Sequence, residues 1–265
     1  MIVPQVRRII VYYGNMKLAV TPHIHYFRSD KILIKVYVAR ITGFPIEQLD
    51  SILAKLPEER RLKLLRFRFL QDMVRGVIGD LLIRAVLPQM LDRTADELEF
   101  GTNLYGKPIL LGHDHNIGFN VSHSGDWVVL AAGSSGRIGI DIERINGMDL
   151  ELARQFYTEE EYGSIMKHQS HEGRVLQFFR IWTAKESYIK AIGKGLSIPL
   201  DSFSTVEGDT MAKGQLIEDE IWYFRTFSLE EGYLLTGCAD TDDFDGEVQL
   251  LDIKSLVTDL FPGGK

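Results

Sequence analysis

The segment Ile138-Gly139-Ile140-Asp141-Ile142-Glu143 alternates between an isoleucine and a residue that is glycine or an acid. Successive side chains of an extended chain leave opposite faces, so Ile138, Ile140 and Ile142 require an apolar surface beneath them, and Asp141 and Glu143 share the other face with their carboxylates convergent. A chain carrying this pattern must build a sheet with at least one buried face, and it must accommodate two neighbouring acids. One reading is a half-exposed strand with a polar side. The other is a pair of ligands for a hard cation: Mg²⁺ takes oxygen donors and keeps waters and substrate phosphate, so two or three protein carboxylates suffice. The strand alone leaves both open.

The remaining periodicities predict an α+β fold. Lys31 to Val38 alternates as a strand, and regular structure is expected to begin there. Pro57 opens a helical pattern, and Val74, Val77, Ile78, Leu81, Leu82 and Ala85 form one apolar helix face that Pro88 is expected to stop. Thr94 and Glu97 have capping-box spacing, and Tyr105-Gly106-Lys107-Pro108 reads as a turn into the strand Ile109 to Leu111. Ile117 to Ser122 and Trp127 to Ala132 form a hairpin around Ser124-Gly125-Asp126. Beyond the strand at 137–143, helices are expected at 150–156, after the cap Thr158, and from Arg174 to Ile192, closed by Gly193. Strands follow near 203–206, 222–227 and 233–238. The chain thus divides into an extension of unknown role (1–30), an N-terminal half (31–136) and a C-terminal half (137–265), without a visible sequence repeat.

Composition narrows the function. The chain has 265 residues, 45% hydrophobic, and 37 acids against 30 Lys and Arg give a net charge of -7, which argues against a general coating of nucleic acid. Cys238 is the only cysteine, so neither an intrachain disulfide nor a cysteine zinc site can form, and its apolar setting reads as a buried structural thiol. No apolar run approaches the roughly 20 residues needed to span a bilayer, and Ile9 to Tyr13 is too short for a secretory core. A cytoplasmic protein with no membrane partner is expected.

Other side chains could carry chemistry. Trp182, Glu186 and Lys190 fall at helical spacing on one side, either as a packing anchor beside a surface ion pair or as additions to the acidic site. Ser122 and His123 end a strand where donors could meet an anion; without a nucleophile elbow they do not read as a hydrolase triad. His113 and His115 read as part of a solvated loop, and Glu159 to Glu161 as a helix cap. Arg60, Arg61, Lys63, Arg66, Arg68 and Arg75 concentrate positive charge, as a phosphate site or a solvated helix face. No Walker loop or Rossmann glycine pattern supports ordinary nucleotide binding.

Taken in order, Tyr105-Gly106-Lys107-Pro108, Phe119-Asn120-Val121-Ser122-His123-Ser124, Ile138 to Glu143, Trp182-Thr183-Ala184-Lys185-Glu186-Ser187-Tyr188-Ile189-Lys190 and Gly193 to Phe203 resemble the 4′-phosphopantetheinyl transferases. The similarity, over roughly residues 31 to 255, is to the large monomeric class that activates surfactin and gramicidin synthetases in bacilli. It implies a pseudo-twofold pair of similar α+β halves, each with a small, mainly antiparallel sheet and packed helices, with coenzyme A bound between them. It also implies Mg²⁺ held by Asp141, Glu143 and Glu186, and coenzyme A contacted by Lys107, Ser122, His123 and Lys190, with Arg60 and Lys63 on the 3′-phosphate and Arg75 near the nucleotide. Gly76 stands where a close relative has threonine.

The implied reaction is attack by a serine of an acyl or peptidyl carrier protein on the β-phosphate of coenzyme A, with Glu186, Lys190 and His123 catalytic. Glu186 would take the serine proton directly or through metal-bound water. The nucleophile belongs to the partner, so none is needed here. Two alternatives are a coenzyme A-binding regulator without turnover and a metal-dependent phosphohydrolase.

Overall fold

The computed structural model describes residues 9–13, 16–20, 32–112, 117–147, 151, 153–207, 210–211 and 213–261. His113 and His115 lie outside them. The first sheet runs in the order β1 (Ile9–Tyr13), β2 (Met16–Val20), β14 (Phe244–Leu250), β3 (Ile34–Arg40), β7 (Trp127–Gly133) and β6 (Gly118–Ser124). The second has the order β11 (Gly214–Ile217), β12 (Glu220–Phe227), β13 (Tyr233–Ala239) and β8 (Ile138–Arg144), all antiparallel. Two further two-stranded sheets join β4 (Glu99–Thr102) to β5 (Pro108–Leu111) and β9 (Val206–Glu207) to β10 (Thr210–Met211).

Alternation within the strands explains how these pieces stack. On the first sheet, Tyr37, Ala39, Val128, Leu130 and Ala132 face a cluster built by α1 (Leu49–Lys55), α3 (Leu70–Leu91) and α7 (Ile253–Leu260). The intervening residues Val36, Val38, Val129 and Ala131 face the other way, against Ile138, Ile140, Ile142, Leu235 and Ala239 of the second sheet. The outer face of the second sheet is covered by α6 (His171–Ile192), whose Tyr188 and Ile189 pack with Trp222, Phe224 and Cys238. The result is a helix, sheet, sheet, helix stack, and the isoleucine face of β8 sits in the central layer, as the alternation requires. Cys238 is fully buried, consistent with a structural thiol.

Three sequence expectations need correction. Pro88 does not stop α3, which continues to Leu91 and ends at Asp92 in the left-handed region (φ 54°). Proline removes a single amide near the helix end, and the Pro88 carbonyl still accepts from Arg93 at 2.9 Å, so one more turn survives. Regular structure does not begin at residue 31, because β1 and β2 precede it as a hairpin and β2 pairs with β14 in parallel. The third concerns residues 244–260, counted with the C-terminal half: β14 lies parallel to β3 in the first sheet, and α7 packs on that sheet's helical face.

The predicted hairpin forms as β6 and β7 around Gly125 and Asp126, with Gly125 at φ +55°. The Thr94 and Thr158 capping boxes both form; the second starts α5 (Glu159–Met166), where Glu161 reaches back to the Thr158 amide at 3.0 Å. α6 closes on Gly193, which adopts the left-handed conformation (φ 74°) expected of a helix C-cap.

Candidate active site

The two sheets meet along their edge strands, β6 and β8, without a backbone ladder. The β8 amides are met instead by side chains from alternate positions of β6. Asn120 Oδ1 accepts from Ile140 N at 2.9 Å, Ser122 Oγ from Ile142 N at 3.4 Å and Ser124 Oγ from Arg144 N at 3.0 Å. Buried edge amides need partners, and the period of two that defines a strand supplies them at i, i+2 and i+4. On its other flank β8 lies against α6. A Cβ on Gly139 would stand 1.8 Å from the Ser187 carbonyl oxygen and 2.5 Å from Ala191 N, so only glycine permits this approach. The approach brings Asp141 and Glu143 beside Glu186 and Lys190.

A cavity of about 290 Å³ opens at this junction, lined by Val121, Ser122, His123, Asp141, Glu143, Trp182, Glu186 and Lys190. Lys190 Nζ lies 2.6 Å from Asp141 Oδ1 and 2.9 Å from Ser122 Oγ, which itself donates to Asp141 Oδ1 at 3.0 Å. Asp141 is only 3% exposed, and its Oδ2 is buried without a partner among the described residues. Ser124 Oγ donates to Glu143 Oε2 at 2.8 Å. Glu186 makes no side-chain hydrogen bond among the described residues. Trp182 stacks on Phe178 with centroids 6.1 Å apart, so it is a packing anchor that also walls the cavity.

The electrostatics show three acids held at a cost. Burial pushes the Asp141 carboxyl up, and Lys190, Ser122 and the Ile142 amide pull it back. Glu143 is raised by burial and then by Asp141; Glu186 is raised by burial and then by Asp141 and Glu143. Burial, then the cations Arg75 and Lys190, hold the His123 imidazole below its usual value, toward the neutral form.

These acids fit a hard divalent cation by their chemistry: oxygen donors only, an orphaned Asp141 oxygen, a bare Glu186 and mutual repulsion that a cation would relieve. Among the described residues, no three His, Cys, Asp or Glu side chains are grouped closely enough to enclose a metal, and Lys190 holds one oxygen of Asp141.

The cavity thus collects Ser122, His123, Asp141, Glu143, Glu186 and Lys190, but not Arg60, Lys63, Arg75 or Lys107. Arg60 pairs with Asp80 at 2.7 Å, and Lys63 with Glu59 at 2.8 Å on α2 (Glu58–Leu64). Arg75 pairs with Asp72 and donates to the Gly125 carbonyl from two nitrogens, at 3.0 and 2.7 Å, which places it behind the hairpin turn near His123. Lys107 Nζ donates to the carbonyls of Ile138 and Ala191, and burial lowers its pKa to about 8. A Cβ at Gly76 would lie 2.5 Å from Leu64 Cδ2, so a threonine there would require the Leu64 side chain to shift. Ser124, expected only in the hairpin turn, joins the site through Glu143, and its place two residues beyond Ser122 on one strand face is the signal for it.

The comparisons agree with this architecture half by half. Residues 43–135 match the family model described as 4′-phosphopantetheinyl transferase, N-terminal, and residues 137–238 match the 4′-phosphopantetheinyl transferase superfamily. The chain belongs to the 4′-phosphopantetheinyl transferase family. It is 34% identical over 215 residues to 4′-phosphopantetheinyl transferase Sfp of Bacillus subtilis (strain 168), covering 80% of this chain and 94% of that protein. It is 43% identical over 150 residues to 4′-phosphopantetheinyl transferase gsp of Aneurinibacillus migulanus, covering 57% and 61%. The L-aminoadipate-semialdehyde dehydrogenase-phosphopantetheinyl transferase of Xenopus laevis is 32% identical over 195 residues, covering 66% and 64%.

Proposed function

We propose that the chain transfers the 4′-phosphopantetheine group of coenzyme A to a serine of an acyl or peptidyl carrier protein. The observation that carries this reading is the meeting of Asp141, Glu143, Glu186 and Lys190 on one cavity at the junction of the two sheets, in a chain of this family. The carrier serine Oγ attacks the β-phosphorus of coenzyme A as the bond to the bridging oxygen breaks. The leaving group is adenosine 3′,5′-bisphosphate, and the serine proton passes to a base. Glu186 suits that base, because burial raises its pKa and its carboxylate has no hydrogen-bond partner among the described residues.

Lys190 and His123 are assigned to the pyrophosphate oxygens, with Ser122 beside them; Lys190 would exchange its Asp141 oxygen for a phosphate oxygen. Asp141, Glu143 and Glu186 would hold Mg²⁺, which when bound supplies positive charge against the pyrophosphate and its leaving group. Arg60, Lys63 and Arg75 remain assigned to the nucleotide end, which Arg60 and Lys63 would reach by leaving their partners on α2 and α3. The boundary between the halves is kept at residues 136 and 137, with residues 244–260 returning to the first sheet and its helical face, and the cleft is placed along the β6–β8 junction.

The same reading takes the enzyme as a cytoplasmic monomer without nucleic-acid or membrane partners. Its net charge is -7, and no helix among the described residues is long and apolar enough to cross a membrane. The test is intact-mass measurement of a panel of carrier proteins incubated with the enzyme, coenzyme A and Mg²⁺. A gain of one phosphopantetheine on the carrier is expected. Release of phosphopantetheine without a carrier would identify a phosphohydrolase, and coenzyme A binding with no product would identify a regulator.

A further inference from the structure

The Tyr105-Gly106-Lys107-Pro108 turn contributes nothing to the lining of the cavity, yet its Lys107 side chain makes two long-range hydrogen bonds. Lys107 Nζ donates to the Ala191 carbonyl at 3.0 Å and to the Ile138 carbonyl at 2.9 Å. The first is the residue after Lys190, near the C-terminal end of α6; the second opens β8, three residues before Asp141. A cation on the last carbonyls of a helix satisfies groups that have no intrahelical donor and complements the helix dipole.

Asn103 completes the arrangement. Its Nδ2 donates to the Gly193 carbonyl at 2.7 Å, and its Oδ1 accepts from Tyr105 N and Lys107 N, each at 2.9 Å. One amide side chain therefore shapes the turn that aims Lys107 and also ties that turn to the helix end. The approach is close: a Cβ at Gly193 would stand 2.8 Å from both Asn103 Nδ2 and Lys107 Cδ.

We infer that Lys107 and Asn103 form a clamp from the β4–β5 hairpin to the end of α6 and the start of β8, and that Lys107 is a positioning residue rather than a ligand of coenzyme A. Both clamped elements carry site residues, Glu186 and Lys190 on α6 and Asp141 and Glu143 on β8. The clamp therefore helps set the separation of Asp141 and Glu143 on β8 from Glu186 and Lys190 on α6. The catalytic consequence rests on the transferase reading; the structural one does not.

The test compares Lys107→Met, which keeps the stem and removes the donors, with Asn103→Ala and the double variant. Two measurements are made: steady-state kinetics with a carrier protein, and amide hydrogen exchange on the metal-free, ligand-free full chain. The clamp predicts that each single variant lowers kcat by about tenfold, the scale on which small misplacements act, with the coenzyme A KM changed less than about twofold. It also predicts faster exchange in the last turn of α6 in each, and a double variant no worse than the more damaged single one. A Lys107→Met variant that raises the coenzyme A KM about tenfold at unchanged kcat, with normal exchange at 189–193, would overturn the proposal in favour of a ligand role. Normal exchange in both single variants would overturn it as well. Should either single variant fail to fold, the other still gives the exchange result. If the wild type modifies no carrier the transferase reading fails, while hydrogen exchange still decides whether the clamp exists.

Discussion

Lys185 and Lys190 lie five residues apart on one helix and meet opposite fates. Lys185 is fully buried, and Nζ reaches Glu161 Oε2 at 2.8 Å and the carbonyls of Leu200 and Phe203 at 2.6 and 2.5 Å. Glu161 is equally buried, and its oxygens also accept from Thr158 N at 3.0 Å and Thr205 N at 2.9 Å. Every donor and acceptor in that group has work inside the protein. Lys190 is partly exposed at the cavity, and its partner Asp141 keeps one oxygen without a hydrogen bond among the described residues. The two pairs are chemically alike. Full satisfaction marks the first as scaffold, binding α5 and the 200–205 segment to α6, whereas the second leaves an Asp141 oxygen unpaired beside the cavity, which suits it to the ligand role proposed above.

The largest effect should come from breaking the satisfied pair. Lys185→Ala would strand Glu161 as a buried charge and should cost about 3–5 kcal/mol of stability, read as a shifted urea midpoint at constant slope. A drop under about 1 kcal/mol would place this pair in the same class as the open one.

Next comes the open pair. Asp141→Ala should lower turnover by about 10²-fold or more, with far-UV circular dichroism unchanged. Omitting divalent metal should give a similar loss. Near-normal carrier modification by this variant in chelator would remove the metal role from Asp141.

A smaller effect separates the reacting from the non-reacting end of the substrate. Arg60→Ala with Lys63→Ala should raise the coenzyme A KM by about tenfold with little change in kcat, whereas Lys190→Ala should chiefly lower kcat. Dephospho-coenzyme A sharpens this. If the double variant is as impaired with that analogue as with coenzyme A, the two cations do not read the 3′-phosphate.

The smallest effect concerns the cost of the acids. Glu186 has a folded pKa above its unfolded one, so its charged form is penalised in the fold, and its contribution is lost as pH rises through the folded value. Glu186→Gln should therefore melt at a higher temperature than wild type in metal-free buffer at pH 7. The advantage should shrink as pH falls through the raised carboxylate range, because wild-type Glu186 then becomes neutral too. Equal melting curves at pH 7 would show that solvent already screens the site.

Legibility in the sequence followed the range of the interaction. Capping boxes, the β6–β7 hairpin, the glycine end of α6 and the faces of β8 and α6 are set by residues within about a turn or a strand of each other, and all are readable along the chain. The i, i+4 and i+8 residues Trp182, Glu186 and Lys190 do share the cavity for that reason. Partners at long separation were not readable. Nothing local announces that Glu161 meets Lys185, that β14 returns to lie parallel to β3, or that Lys107 turns to the carbonyls of Ile138 and Ala191.

What the sequence by itself determined was the type of most local elements between residues 31 and 238 and the side of β8 and α6 that carries chemistry, because backbone sterics and side-chain period act over a few residues; the family was legible separately, as a resemblance of ordered motifs. Only the tertiary structure decided which buried charges are satisfied and which are left open. The penalty for a charge depends on what surrounds it in space, and at the β6–β8 junction those surroundings come from strands and a helix up to 68 residues apart, as in Lys190 on Ser122.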